Sequence, residues 1–193
     1  MTVDYKALKM GGFMRQKEGD RFSVRVRVTG GNLTTDQLRT IVKAADRFGD
    51  GHVHMTSRQQ LEIPAVMLED VDKIKTFLND GGVFSGVCGP RVRSVTACQG
   101  ADICPSGCIR TYPLAQELMD RYYGRQLPTK FKFGVTGCRN NCLKIEENDI
   151  GVKGGLIVSW SSTPCTFCSE CAKVCRVGAI EVGEDSFNLD RGK

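Results

Sequence analysis

Four cysteines near the end of the chain have a spacing that predicts a definite chemistry. Cys165, Cys168, Cys171 and Cys175 follow the pattern C-x2-C-x2-C-x3-C. Thiolates spaced in this way can reach different iron corners of one cuboidal [4Fe–4S] cluster. The run therefore predicts an iron–sulfur cluster that transfers electrons.

A second set of cysteines is split between two places. Five residues separate Cys98 from Cys104, and three separate Cys138 from Cys142. These four thiols favour a further metal centre. Zinc is a chemical alternative, but structural zinc usually takes C-x2-4-C spacings, and five intervening residues fit that pattern poorly.

The other cysteines, Cys88 and Cys108, receive no metal-binding role, because a free cysteine often packs as a small apolar residue. An even number of cysteines also fits a disulfide framework, but such frameworks are typical of small secreted chains. Metal ligation is the better interpretation for this sequence.

Composition limits the class of protein. With 193 residues, 40% apolar and 25% charged, the chain can form one substantial core or two small domains. A net charge of +5 without a block of consecutive basic residues gives little support for a nucleic-acid partner. Residues 1–13 contain no continuous apolar stretch, and no run is long enough to span a bilayer, so we expect a cytoplasmic protein.

The first third of the chain predicts strands and helices in alternation. Residues 21–29 alternate between apolar and polar side chains, as in a half-buried strand. A capping box of Thr34 and Gln37 predicts a helix that ends at Gly49. Two short strands should follow, the second ending at Pro64, and then a helix over residues 71–80.

The middle of the chain predicts a helix after Pro113 that ends at Gly124, and a strand over residues 130–136. This strand runs directly into Gly137 and Cys138. We therefore expect Lys130, Lys132 and the cysteine ligands to lie at the same end of one element.

With these residues in view, the chain resembles the siroheme-containing sulfite and nitrite reductases over roughly residues 20 to 160. The split cysteine pairs carry the resemblance together with four further motifs, which are Arg25-Val26-Arg27 before Gly30-Gly31, Thr56-Ser57-Arg58-Gln59, Arg93-Ser94-Val95, and Leu127-Pro128-Thr129-Lys130-Phe131-Lys132.

The resemblance implies two cofactors, siroheme and a [4Fe–4S] cluster coupled to it. The cluster ligands implied are Cys98, Cys104, Cys138 and Cys142, with Cys142 as the thiolate that also bridges to the siroheme iron. The run from Cys165 to Cys175 adds a second [4Fe–4S] cluster, which would relay electrons to the siroheme centre.

The resemblance also implies how the basic residues divide their work. The catalytic residues implied are Lys130, Lys132 and Arg93. A lysine can give a proton as S–O bonds break. An arginine does so far less readily, so Arg25, Arg27 and Arg58 are assigned to binding the substrate or the siroheme carboxylates. Arg58 is the foremost carboxylate partner.

The fold class that follows is α+β. We expect a ferredoxin-like half domain over residues 1–82, a siroheme- and [4Fe–4S]-binding α/β domain over 83–160, and a partial bacterial-ferredoxin module over 161–193. Arg176 stands where proline is usual after the cysteine run, and no second run follows. We therefore expect either a fragment of a longer protein or a module with one cluster.

The resemblance implies the six-electron reduction of sulfite to sulfide, with reduction of nitrite to ammonia as the nearest alternative. An electron-transfer protein that has lost siroheme is a second hypothesis, and a regulatory or assembly module with a sensing cluster is a weaker third. The expected partners are a small anionic substrate, an electron donor such as ferredoxin or a reductase subunit, and a second copy or partner subunit.

Overall fold

The computed structural model describes residues 3–192, and the chain divides into two compact units, Met1–Gly155 and Leu156–Lys193. Within residues 3–192, no helix combines the length and the apolar character that crossing a membrane requires. The larger unit contains two separate hydrophobic cores, each formed around its own sheet. The expected domain boundary at residue 82 stays a prediction.

An antiparallel sheet with the strand order β1-β2-β4-β3 forms the first part of the larger unit. Its strands are β1 (Phe13–Arg15), β2 (Arg21–Val26), β3 (His54–Met55) and β4 (Leu61–Met67). The helices beside it are α1 (Tyr5–Met10), α2 (Thr35–Phe48) and α3 (Val71–Asp80). The alternation in β2 is confirmed, because Phe22, Val24 and Val26 are buried in the core.

The predicted capping box of α2 is present. The Thr34 hydroxyl accepts from the Gln37 backbone N–H at 3.2 Å, and the Gln37 amide oxygen accepts from the Thr34 N–H at 3.0 Å. Gly49 caps the other end of the helix, as predicted. Ile41 and Ala45 then face the core, because residues four apart lie on one side of a helix.

The prediction that Pro64 ends a strand is wrong, since β4 continues to Met67. In the pairing of β4 with β2, Phe22 lies opposite Val66 and Val24 lies opposite Ile63, so the register shifts by one residue between these two pairs. This irregularity leaves Pro64 outside the paired positions, and Ala65 takes a φ of 61°. A bulge of this kind is where a sheet tolerates proline, because no ladder hydrogen bond is required there.

A parallel sheet with the order β5-β6-β7 forms the second part. Its elements are β5 (Thr96–Ala97), α4 (Thr111–Tyr122), β6 (Phe133–Thr136) and β7 (Ile150–Lys153). The helix predicted after Pro113 is present but begins two residues earlier, because proline is tolerated in a first turn. Val95, Val135 and Met119 form the centre of this second core.

Strand β6 is shorter than predicted and starts at Phe133 instead of Lys130. Phe131 makes only an isolated bridge with Val92. The Lys132 backbone N–H donates to the Asp149 carboxylate at 2.7 Å instead of to a neighbouring strand. The Asp149 side chain thus takes the place of a strand-to-strand hydrogen bond just before the regular strand begins.

The smaller unit contains α5 (Glu170–Val174) and an antiparallel hairpin of β8 (Ile180–Val182) and β9 (Phe187–Leu189). The Trp160 ring stacks on Phe187, with centroids 5.0 Å apart and an interplanar angle of 2°. Trp160 also lies 6.0 Å from the Phe167 ring. These aromatic contacts link the start of this unit to its cysteine loop and to its hairpin.

Candidate functional site

The first cysteines of the two split pairs start from one edge of the parallel sheet. The Cys98 backbone N–H donates to the Val135 carbonyl at 3.1 Å, so Cys98 continues the pairing of β5 with β6. The Gly137 N–H donates to the Cys98 Sγ at 3.1 Å, and Cys138 is the next residue. Cys98 and Cys138 therefore lie at the carboxyl edge of the same strand pair.

The second cysteines of the pairs lie in the loops that leave this edge. Cys104 follows a 3-10 turn and donates its backbone N–H to the Gly100 carbonyl at 2.8 Å, whereas Cys142 is exposed. Between residues 3 and 192, no three His, Cys, Asp or Glu side chains lie close enough together to hold a metal ion. The four-cysteine ligand set stays a prediction.

The chemistry of these residues nevertheless fits an iron–sulfur cluster. All ten cysteines belong to the described part of the chain and are free thiols, so each split pair can supply thiolate ligands. The N–H of Gly137 already donates to one of these sulfurs, and hydrogen bonds to sulfur are a normal part of cluster binding sites.

Arginines occupy the opposite, amino edge of the parallel sheet. Arg58 lies in the turn between β3 and β4 and donates to the Ser94 carbonyl at 2.7 Å, just before β5. Its other terminal nitrogen donates to Asn148 Oδ1 at 2.9 Å, just before β7. The guanidinium of Arg58 thus joins the starts of two parallel strands.

Two further arginines meet at the buried thiol of Cys88. Arg25 Nη1 and Arg93 Nη1 each lie 3.2 Å from the Cys88 Sγ, which accepts from both. Arg25 Nε also donates to Glu62 Oε1 at 2.8 Å, and Arg93 donates to the Val87 carbonyl at 3.2 Å. Both guanidinium groups are therefore held in fixed positions by protein acceptors.

These arginines influence one another electrostatically. Burial lowers the pKa of Arg58 from its ordinary value, and the positive charges of Arg93 and Arg25 lower it further, while Asp149 opposes the shift. A guanidinium nevertheless stays protonated in proteins. The amino edge therefore concentrates positive charge in a partly buried place, which attracts a compact anion.

Arg93 also provides a test of whether siroheme fits this edge. Its Nε is buried and has no hydrogen-bond acceptor among the residues that the structure describes. A buried donor without an acceptor is costly, and a carboxylate is the strongest acceptor available to a guanidinium. Siroheme carries carboxylates, so the residues at the amino edge fit this cofactor.

The two lysines do not lie at the same end of β6 as the cysteines, and that prediction is wrong. Lys130 and Lys132 precede β6, whereas Cys138 follows it. Lys130 is exposed, and the Lys132 ammonium donates to the Glu147 carbonyl at 2.8 Å. The lysines therefore belong to the amino edge, together with Arg58 and Arg93.

Arg27 differs from the other predicted arginines in its surroundings. Its guanidinium lies over the Tyr123 ring, 4.4 Å from the centroid, in a cation–π contact. Burial raises the pKa of the Tyr123 hydroxyl, while the charge of Arg27 opposes that shift. Tyr123 therefore keeps its proton at neutral pH, and its ring fixes Arg27 in place.

Two family models cover most of this chain. The model described as "Nitrite/Sulfite reductase ferredoxin-like half domain" matches residues 14–80, and the one described as "Nitrite and sulphite reductase 4Fe-4S domain" matches residues 88–155. The chain belongs to the nitrite and sulfite reductase family.

Several members of this family are similar along nearly the whole chain. A coenzyme F420-dependent sulfite reductase of Methanocaldococcus jannaschii is 33% identical over 96% of this chain and 29% of its own length. A subunit of the anaerobic sulfite reductase of Salmonella typhimurium is 28% identical over 93% of this chain and 58% of its own. The chain thus spans less than two thirds of these relatives.

A solved structure supports the fold. The crystal structure of a dissimilatory sulfite reductase I aligns with a TM-score of 0.70 and 18% identity, over 89% of this chain and 47% of that one. At this identity the likeness concerns the fold alone. The α+β architecture with a ferredoxin-like half domain is therefore confirmed, in agreement with the family models.

The cysteine run of this nitrite and sulfite reductase family member lies in the smaller unit. The Ala179 N–H donates to the Cys175 Sγ at 3.2 Å, and this contact lowers the pKa of the Cys175 thiol. The pKa of Cys168 is lowered because the Glu170 backbone N–H and the Thr166 hydroxyl stabilise its thiolate. Thiolate is the form that binds iron, so the backbone of this loop favours ligation.

Sequence reasoning missed two residues at the site of this family member. Cys88 received no role, yet it accepts from Arg25 and Arg93. Gln59 was seen only as part of a motif, yet its side chain hydrogen-bonds Ala97, next to Cys98. Nothing in the sequence around Cys88 points to its contacts with arginines. Gln59, by contrast, directly follows Arg58 in a family motif, and that position could have marked it as a site residue.

Proposed function

We propose that this chain is a reductase subunit that uses siroheme and a coupled [4Fe–4S] cluster to reduce sulfite to sulfide with six electrons. One observation carries the proposal: the two split cysteine pairs begin at one edge of a parallel sheet, joined by the Gly137–Cys98 contact. The family to which the chain belongs supports this assignment, since one of its models describes a 4Fe-4S domain.

The residues divide into ligands and anion binders. Cys98, Cys104, Cys138 and Cys142 would hold the cluster, with Cys142 also bridging to siroheme. When bound, siroheme and its cluster would carry the six electrons from the external donor to the substrate. The protein must hold the substrate and deliver protons, and these tasks fall to its basic residues.

The basic residues at the amino edge suit a dianion. One unit charge at about 4 Å attracts another by about 4 kcal/mol at an effective dielectric constant of about 20, before desolvation costs are counted. Arg93 and Arg58 are the partly buried members, and Lys130 and Lys132 are the more accessible ones. We assign binding to the arginines and proton delivery to the lysines, because only the latter give up a proton readily.

The distance between the two edges supports a shared active site. The four residues of β6 extend over about 13 Å, so the lysines before the strand and Cys138 after it are far apart. We infer that the cysteine edge of one chain works with the cationic edge of a second copy or of a partner subunit. Mixing a Cys98→Ser chain with an Arg93→Met chain should then restore part of the activity that each lacks alone.

The smaller unit would bring in the electrons. Cys165, Cys168, Cys171 and Cys175 would hold a second [4Fe–4S] cluster, fed by a donor such as ferredoxin or a reductase subunit. Two thiols of this run have lowered pKa values, which favours the ligating thiolates. Ten free cysteines suit a reducing compartment, so we place this reaction in the cytoplasm.

Anaerobic purification followed by optical spectroscopy and a turnover assay tests the proposal. We expect a red absorption band of the chlorin type, an iron–sulfur shoulder, and consumption of sulfite with reduced viologen as the electron donor. Parallel assays with nitrite decide the substrate, because both anions suit one cationic pocket. Faster turnover of nitrite would assign nitrite reduction instead.

A different spectrum would point to another function. An iron–sulfur shoulder without any red band, in protein made by cells that synthesise siroheme, would contradict the reductase and favour an electron-transfer protein. The Cys98→Ser variant is the informative control, since it should lose the red band while the smaller unit keeps its own iron.

A further inference from the structure

The side chain of Gln59 pairs with the backbone of the residue that precedes Cys98. Its Nε2 donates to the Ala97 carbonyl at 2.9 Å, and its Oε1 accepts from the Ala97 N–H at 2.9 Å. Ala97 is the last residue of β5, and it is buried. One primary amide thus satisfies both polar groups of a buried peptide position.

This pairing supplies the missing neighbour of β5. The Cys98 N–H points to β6, where it donates to the Val135 carbonyl. Because successive residues of a strand direct their polar groups to opposite sides, those of Ala97 point away from β6. The strand order β5-β6-β7 leaves that side of β5 at the edge of its sheet, and the Gln59 amide takes the place of a strand there.

The backbone around this contact adopts special conformations. Gln59 has a φ of 56°, which is uncommon for a residue other than glycine. Gly30 donates its N–H to the Val95 carbonyl at 3.0 Å, and a Cβ on Gly30 would lie only 2.9 Å from the Ala97 Cβ. A side chain at Gly31 would meet Gln59 at 3.4 Å. Gly30 therefore lets the first sheet approach β5 closely, whereas the contact at Gly31 is an ordinary van der Waals one.

We propose that Gln59 is a positioning residue for Cys98, which it holds in place through the backbone of Ala97. The inference rests on the proposed function, in which Cys98 is a cluster ligand. A residue that orients a metal ligand changes both the affinity for the metal and its electronic properties. In this chain the affected contact is the N–H of Gly137 on the Cys98 Sγ, at 3.1 Å.

The test compares Gln59→Met with a matched control, Gln37→Met, in the full chain as purified. Gln37 makes the same kinds of bond elsewhere: its Oε1 accepts from the Thr34 N–H at 3.0 Å, and its Nε2 donates to the Gly82 carbonyl at 3.1 Å. Each substitution removes one accepted and one donated hydrogen bond. Only the one at Gln59 should affect Cys98.

Hydrogen exchange of the Ala97 amide is the first measurement. We expect exchange at least about ten-fold faster in Gln59→Met, because the amide loses its acceptor, and no change in Gln37→Met. The second measurement is an EPR-monitored redox titration of the cluster signal that disappears in Cys98→Ser. A weakened Gly137–Cys98 contact should move its midpoint potential to a more negative value in Gln59→Met alone.

The outcomes separate this inference from the proposed function. Wild-type protein without any Cys98-dependent cluster signal would reject both. A normal signal in the wild type, with unchanged Ala97 exchange or an unchanged midpoint potential in Gln59→Met, would reject the positioning role and leave the proposed function in place. Equal effects of Gln37→Met would also overturn it, because they would reflect general loss of stability.

Discussion

The two ends of the parallel sheet carry different kinds of side chain, metal-binding thiols at one end and basic groups at the other. The carboxyl end starts both split cysteine pairs, and the amino end gathers Arg58, Arg93 and the two lysines. Cys88 teaches why these groups are kept apart. Its Sγ takes a hydrogen bond from each of two guanidinium groups. At a cysteine ligand placed there, the two guanidinium groups would compete with iron for the sulfur.

The largest effect should come from the carboxyl end. We expect Cys98→Ser to remove roughly five irons per chain, four from the cluster and one from the siroheme coupled to it, together with their absorbance, since a cuboidal cluster needs four ligands. Iron analysis after anaerobic purification measures the loss. Cys108→Ser is the matched control, because it removes a nearby thiol that was assigned no ligand role. Equal iron loss in both variants would contradict the assignment of Cys98 as a ligand and of Cys108 as a thiol without a ligand role.

A change at the amino end should leave the iron of the clusters in place. We expect Arg93→Met to lower kcat/KM for sulfite on the order of a hundred-fold, as removal of a preorganised donor does in other enzymes. Cluster iron should match the wild type, and Arg47→Met, which alters a surface arginine over Phe48, should change neither quantity. Loss of cluster iron in Arg93→Met would mean that the two ends are not independent.

Variants of the two lysines should separate proton delivery from cofactor binding at the amino end. We expect Lys130→Ala and Lys132→Ala each to slow sulfite turnover by roughly 10²-fold, the lower range for a lost proton donor. Siroheme content, read from the red absorbance, should not change. Lys73→Ala provides a surface control, since Lys73 on α3 pairs with Asp70, the residue just before that helix. A variant that loses its pigment would show that the lysine binds the cofactor instead.

Removing the Cys88 thiol should have a moderate effect on stability. In Cys88→Ala two partly buried guanidinium groups lose an acceptor, and we expect the free energy of unfolding to fall by about 1–2 kcal/mol. Cys88→Ser should recover part of this loss, because its hydroxyl still accepts. Denaturant titration measures both. If the Ala variant equals the wild type, the thiol is only packed between the arginines.

The smallest effect concerns the loop that carries Cys142. Hydrogen bonds from Lys153 and Asn141 lower the pKa of Glu146 from 4.5 to about 2. The ionised carboxylate therefore stabilises the fold fully above pH 4.5, and this contribution is lost as the pH falls towards 2. Acid unfolding of Glu146→Gln should lack this part of the pH dependence, and salt should weaken the difference, because Glu146 is exposed.

Features that depend on neighbours in the chain could be predicted from sequence. The capping box of α2 involves residues three apart, and the alternation of β2 reflects burial of one face. Features that depend on distant partners could not. Pro64 is accommodated by a bulge opposite β2, and the late start of β6 pairing results from Asp149, which lies seventeen residues from Lys132.

The same limit applies to the site. Spacing predicted both cysteine ligand sets, which stay predictions. The strand pattern over residues 130–136 wrongly placed the lysines and cysteines at one end of a strand, because alternation does not mark where hydrogen bonding to a neighbouring strand begins. Cys88 meets Arg25, and Gln59 meets Ala97, across long stretches of chain, and only the folded structure reveals those contacts.

The tight contact at Gly30 limits how this protein can be re-engineered. A chimera could keep the cysteine-bearing sheet and take its first eighty residues from another protein. Its turn would then need a glycine at the position of Gly30, because a Cβ there would lie only 2.9 Å from the Ala97 Cβ. Any bulkier turn would push the sheets apart and break the bonds of Arg58, Gln59 and Gln60 to residues 94–97 together. The two halves can therefore be exchanged only as a matched pair.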